Sequence, residues 1–103
     1  SIAIKLIRKF LKHKAKITIH DPKAMKNTME VFGDKIIYAK TVQDALSKSQ
    51  CAVIMTQWKE YSKINNSMVK KMDKKIVIDS RRILADKDID VDYQAIGIGN
   101  DKK

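Results

Sequence analysis

Residues 76–84 read Ile-Val-Ile-Asp-Ser-Arg-Arg-Ile-Leu, and this stretch decides the fold. Three β-branched apolar residues in a row leave no polar face, so residues 76–78 are predicted to form a strand buried on both sides, as in a parallel sheet. Polar residues 79–82 follow at its carboxyl end, the edge where open α/β sheets bind ligands. Arginine binds phosphate through two parallel hydrogen bonds. The arginine pair at this edge therefore predicts an anionic, phosphorylated ligand.

Helix-like and strand-like segments alternate along the rest of the chain. Apolar periodicity predicts helices over residues 2–11, 41–49 and 64–72, with a helical turn over 28–32. Short apolar runs predict further strands over residues 17–20, 36–38, 52–55 and 93–96. This alternation, with short links, predicts a single α/β domain over residues 1–103: a three-layer, Rossmann-like fold with a mostly parallel sheet.

The amino-acid composition limits which kinds of partner and cellular location are expected. The net charge of +10 is typical of nucleic-acid binding, but the 19 lysines and 3 arginines are spread along the whole chain, without a basic stripe interleaved with aromatic residues. We therefore expect no nucleic-acid partner. The apolar runs are too short to span a membrane, and no signal peptide is visible. A single cysteine, Cys51, favours a reducing, cytoplasmic location.

Other candidate residues carry weaker signals. Trp58 could stack on a base, but a lone tryptophan beside a buried strand favours core packing. Cys51 precedes a buried strand with no histidine nearby in sequence, which predicts a small packing residue. Asp21 ends a strand as the ribose-binding acid of a Rossmann unit would, but no glycine-rich turn lies upstream. No histidine, cysteine or carboxylate group has metal-ligand spacing, so no metal site is predicted.

Several motifs stand in the order of a known family. They are Ser-Ile-Ala at 1–3, Ile-His-Asp-Pro at 19–22, Val-Phe-Gly-Asp at 31–34, Ala-Val-Ile-Met-Thr-Gln-Trp at 52–58, Val-Ile-Asp-Ser-Arg at 77–81 and the segment 93–99. Together they resemble the carboxyl-terminal, nucleotide-binding domain of the UDP-glucose/GDP-mannose dehydrogenases. The resemblance covers essentially the whole chain, and its specificity lies in the ensemble of motifs.

The resemblance implies an activity for a larger protein. In that family, an NAD-dependent enzyme oxidises the sugar C6 alcohol of a nucleotide sugar to a carboxylate in two steps, here UDP-glucose to UDP-glucuronate. This domain would hold the UDP moiety, while NAD and the catalytic cysteine belong to preceding domains. The chain alone would then hold no catalytic residue, and its partners would be the UDP-sugar and the remaining dehydrogenase domains. A noncatalytic assembly or interaction module is the alternative.

Three residues become candidate substrate contacts. Arg81 matches the family arginine that reaches the nucleotide, Ser80 is its neighbour where the family often has glycine, and Ser1 matches the serine that closes the family's phosphate loop. A structural alternative for Arg81 is an ion pair with Asp79 that caps the strand. Arg82 is expected to face solvent.

Departures from the family pattern concern the fold. The family's first, central strand and its loop would precede Ser1, and without that strand residues 17–20 and 52–55 would each form an open sheet edge. We therefore expect a fragment of a longer dehydrogenase, or a gap closed by re-pairing or by another copy in a homo-oligomer. Lys14 also stands where the family favours a helix-ending glycine.

Overall fold

The computed structural model describes residues 2–97 and shows an α/β, Rossmann-like chain. The α-helices are α1 (Ile2–Lys12), α2 (Met25–Phe32), α3 (Val42–Leu46) and α4 (Asn66–Val69), and short 3-10 helices cover Gly33–Lys35 and Lys59–Lys63. The strands are β1 (Thr18–Ile19), β2 (Ile37–Tyr38), β3 (Ala52–Ile54), β4 (Ile76–Asp79) and β5 (Asp92–Gln94). The chain divides into two compact units, Ser1–Ala45 and Leu46–Lys103, and each contains one parallel sheet.

The first unit contains α1, α2 and the parallel pair β1 and β2. Thr18 lies opposite Ile37, and Ile19 lies opposite Tyr38. Its core consists of three buried side chains with partly buried apolar side chains packed around them: Ile7, Phe32 and Ile36 at the centre, and Ile4, Leu11, Ile17, Ile19 and Tyr38 outside. The predicted helix over residues 2–11 is therefore confirmed, and its apolar face forms part of this core.

The backbone hydrogen bonds at the carboxyl end of α1 explain the left-handed conformation of Lys14. The N–H of Lys14 donates to the Leu11 carbonyl at 3.0 Å, and the N–H of Ala15 donates to the Phe10 carbonyl at 3.0 Å. These two bonds are the pattern of a Schellman helix end, which requires a left-handed residue. Lys14 has φ +62° and fills that place, although glycine would adopt it without strain.

We predict that Lys14→Gly stabilises the protein. Removing the Cβ from a left-handed residue relieves about 1 kcal/mol of strain, partly offset by the greater freedom of glycine in the unfolded chain. Urea denaturation should show a higher free energy of unfolding. Lys9→Gly, at an exposed position inside α1, is the matched control and should lower it by about 1 kcal/mol. A loss of stability in both variants would contradict the conclusion that the left-handed conformation strains Lys14.

The prediction of a helical turn over residues 28–32 needs correction, because α2 begins earlier, at Met25. The Oδ1 atom of Asp21 accepts the N–H groups of Lys23 and Ala24, each at 3.1 Å, and so organises the turn that leads into the helix. Aspartate before proline is a known turn signal, and here it extends the helical segment toward the amino end. Gly33 ends the helix with φ +53°, as expected.

The second unit contains the three-stranded parallel sheet, in the order β3, β4, β5. The strand predicted over residues 76–78 is confirmed as β4, at the centre of this sheet. It was predicted to be buried on both sides, and this needs correction. Val77 and Asp79 are 2% and 0% exposed, whereas Ile76 and Ile78 on the alternate face are only half-buried.

The two helices predicted in the later chain are both too long. Thr41 caps α3 as expected, since its Oγ1 accepts the Asp44 N–H at 3.0 Å, but α3 ends at Leu46 and not at 49. The helix predicted over 64–72 is only the four residues of α4: Asn65 caps its start by accepting the N–H of Met68 at 3.1 Å, and the helix already ends at Val69. The last strand also begins earlier than the predicted 93–96, because β5 covers Asp92–Gln94.

Both sheets have an open edge among residues 2–97. There, β1 pairs only with β2, and β3 pairs only with β4. The other outer strands, β2 and β5, are likewise paired on one side only within these residues. The missing central strand and the single domain over residues 1–103 stay predictions. The longest helix described has 11 residues, and none within 2–97 has the length and apolar character needed to cross a bilayer.

Candidate functional site

The candidate site lies at the carboxyl edge of the sheet in the second unit. Ile54 at the end of β3 lies opposite Asp79 at the end of β4, so the segments that follow both strands leave from the same edge. The backbone N–H of Ser80 donates to the Ile54 carbonyl at 3.0 Å, and the Ser80 hydroxyl donates to the same oxygen at 2.7 Å. Hydrogen bonds from Ser80 therefore join the carboxyl ends of β3 and β4 at this edge.

Asp79, the last residue of β4, is buried and anchors the loop that follows the strand. Its Oδ1 accepts the Arg81 N–H at 3.1 Å, and its Oδ2 accepts the Leu84 N–H at 2.8 Å and the Tyr93 hydroxyl at 2.9 Å. The residue is 0% exposed, so these donors replace the water that an ionised carboxylate would otherwise hold. One side chain therefore fixes the loop at two backbone positions and joins it to β5.

Arg81 extends from this loop into solvent. The residue is exposed, and its guanidinium forms no ion pair with any carboxylate of residues 2–97. Asp79 does cap the strand end, but it does so through the backbone N–H of Arg81 and not through an ion pair. The guanidinium thus keeps its donors for an external anion. Arg82 is also exposed, as predicted, and has φ +57°.

The Tyr93 hydroxyl is a protonated donor to Asp79. Its pKa lies above the ordinary value of about 10, first because burial disfavours the phenolate and second because the hydroxyl bonds to the Asp79 carboxylate. The charge of Asp86 raises this pKa further, and the charge of Arg82 opposes the rise. The Tyr93 phenol therefore keeps its proton at neutral pH and can donate it to Asp79.

The remaining candidate residues either take no part in the hydrogen bonds of Asp79 or lie outside the described residues. Trp58 is half-buried and donates its indole N–H to Glu60, so it is not a fully buried core residue. Cys51 was predicted to be a small packing residue, which is wrong: it is exposed, with partial desolvation raising the pKa of its thiol. Ser1 lies outside the described residues. Within 2–97, no three His, Cys, Asp or Glu side chains gather where they could hold a metal ion.

The candidate site lies at the carboxyl edge of the sheet, outside the depression that the structure describes in this unit. A shallow depression of about 620 Å³ lies elsewhere in the second unit, between residues 62–67 and 87–89. No residue of the loop that carries Arg81 lines this depression. A ligand held by Arg81 would therefore bind at the open end of the strands.

Sequence reasoning identified the edge but missed its organising residues. Asp79 was considered only as an ion-pair partner of Arg81, and Tyr93 only as the start of a strand. One signal was available. An aspartate that continues an apolar parallel strand must find donors inside the protein, and a tyrosine in the next strand is a suitable donor.

Comparison with known proteins identifies the family. Residues 1–86 match the family model described as "UDP-glucose/GDP-mannose dehydrogenase family, UDP binding domain". The chain is also 35% identical over 96 residues to the UDP-glucose 6-dehydrogenase AglM of Haloferax volcanii. That alignment covers 93% of this chain but only 22% of the relative, so the chain spans less than a quarter of the relative's length. The resemblance seen in the sequence motifs is thereby confirmed, and the chain belongs to the UDP-glucose/GDP-mannose dehydrogenase family, to its UDP binding domain.

Proposed function

We propose that this chain binds the UDP moiety of a UDP-sugar as part of an NAD-dependent dehydrogenase that converts UDP-glucose to UDP-glucuronate. The observation that carries the proposal is the exposed guanidinium of Arg81, held at the carboxyl edge of a parallel sheet in a chain of this family. The other dehydrogenase domains are its partners. Nucleic acid and membrane have no part in this function, and we place the protein in the cytoplasm.

The guanidinium of Arg81 binds the diphosphate or the ribose of the nucleotide. Its fork of N–H groups matches two phosphate oxygens, and a charge-assisted pair of this kind is stronger than a neutral hydrogen bond. Ser80 and Ser1 are weaker neighbours. The hydroxyl proton of Ser80 is already donated to the Ile54 carbonyl, so Ser80 would have to give up that bond to donate to a phosphate.

The residues described in this chain do not fit NAD itself. A dinucleotide cradle needs a glycine-rich turn after a strand so that the backbone can approach the pyrophosphate. The turn after β1 instead carries Asp21, whose carboxylate is bonded to the backbone of the same turn. Cys51 also lacks the environment of a nucleophile, because its thiol pKa is raised. NAD and the catalytic residues therefore belong to the remainder of the enzyme.

The activity can be tested with the complete protein that carries this chain. Mixed with UDP-glucose and NAD, it should release two NADH for each UDP-glucuronate formed, as measured by absorbance and by chromatography of the product. GDP-mannose is the control substrate and should give no NADH. Oxidation of GDP-mannose alone would show that the base is guanine, and oxidation of neither sugar would favour the noncatalytic alternative.

A further inference from the structure

Tyr93 reaches the candidate site from the neighbouring strand. Tyr93 lies in β5, where it faces Val77 of β4 in register, and its hydroxyl lies 2.9 Å from Oδ2 of Asp79. That oxygen also accepts the Leu84 N–H at 2.8 Å, while the other oxygen accepts the Arg81 N–H at 3.1 Å. Tyr93 is thus two hydrogen bonds away from the backbone of Arg81.

We propose that Tyr93 is a positioning residue that orients the Asp79 carboxylate and thereby sets the nucleotide-binding position of Arg81. This inference rests on the proposed function of Arg81. A carboxylate rotates about its Cβ–Cγ bond, and three donors on two oxygens hold it in one orientation. Without the hydroxyl, Oδ2 keeps only the Leu84 N–H.

The loop needs such an anchor because its backbone is strained. Arg82, the residue after Arg81, adopts φ +57°, a left-handed conformation that non-glycine residues hold only when the surroundings fix it. In this loop, the Asp79 carboxylate and the strand ends fix the conformation of Arg82. A carboxylate that tilts moves the Arg81 N–H with it, and the long arginine side chain amplifies the displacement at the guanidinium.

The test is the variant Tyr93→Phe in the full chain, which keeps the ring and removes only the hydroxyl. By isothermal titration calorimetry, the Kd for UDP should rise about three- to tenfold, part of the effect of losing a hydrogen bond to a charged group. In hydrogen exchange, the amides of Arg81 and Leu84 should exchange faster while that of Val77 stays protected.

Tyr38→Phe is the matched control. The Tyr38 hydroxyl donates to the Gly33 carbonyl at 2.7 Å in the first unit, so this variant loses a comparable hydrogen bond that does not involve Asp79. Its Kd for UDP should stay within about twofold of the wild type, since the remaining contacts are unchanged.

A double-mutant cycle separates positioning from general stability. If Tyr93 acts through Arg81, Tyr93→Phe should change the Kd by less than about twofold when Arg81 is already alanine, because the two effects share one contact. An equal effect in both backgrounds, or no effect in the wild-type background, would overturn the inference and leave the proposed function intact. Failure of the wild-type chain to bind UDP would overturn both.

Discussion

Asp79→Ala should lower the free energy of unfolding by about 3 to 4 kcal/mol, since it leaves buried donors without an acceptor. The Leu84 N–H and the Tyr93 hydroxyl lose their only hydrogen-bond acceptor among residues 2–97, and Leu84 itself is 3% exposed. The Leu84 N–H is buried, so water cannot replace the carboxylate there without opening the end of the sheet. Urea denaturation, followed by circular dichroism, measures the loss.

Asp21→Ala is the matched control for this prediction. Asp21 also follows a strand and also accepts two backbone N–H groups, those of Lys23 and Ala24, but near the surface. Water can replace the lost carboxylate there, so its loss should be about 1 kcal/mol or less. Equal losses in the two variants would mean that the burial of Asp79 contributes nothing special.

Arg81→Ala should weaken UDP binding by about 1.5 to 3 kcal/mol, which is about a 10- to 150-fold rise in Kd, because a charge-assisted bond to the nucleotide is removed. The fold should be unaffected, since the bond from Arg81 to Asp79 comes from the backbone N–H and survives the substitution. Isothermal titration calorimetry with UDP measures the affinity, and urea denaturation checks the stability.

Arg82→Ala removes the same charge one residue further on. Arg82 is equally exposed, and alanine at φ +57° retains the same backbone strain. Long-range charge alone would make the two variants alike, whereas a specific contact affects Arg81→Ala far more. A Kd that is unchanged in Arg81→Ala would remove Arg81 from the site.

Local physical signals made the edge of the sheet predictable from sequence. Residues 76–78 have the β-branched run of an inner parallel strand, and residues 79–82 have the abrupt polarity that marks its carboxyl end. Thr41 and Gly33 have the residue types that begin and end helices, and both do so. The residues that terminate an element are encoded locally and could be identified.

Features that depend on tertiary partners could not be predicted in the same way. The burial of Asp79 depends on a hydroxyl 14 residues later, and no local pattern connects the two. The length of α4 was overestimated because the apolar spacing over 64–72 is compatible with a helix, whereas Ile64 and Met72 are buried from positions outside it. Burial of an apolar side chain does not require that its backbone be helical.

The most direct test of the central claim is a backbone amide NMR titration of this chain with UDP, with UMP and NAD as controls. We expect UDP to shift the amides of Ser80, Arg81 and residues 56–58 at the carboxyl edge, with weaker shifts from UMP and none from NAD. A well-dispersed spectrum that UDP leaves unchanged would contradict the claim that this chain is itself a UDP-binding unit.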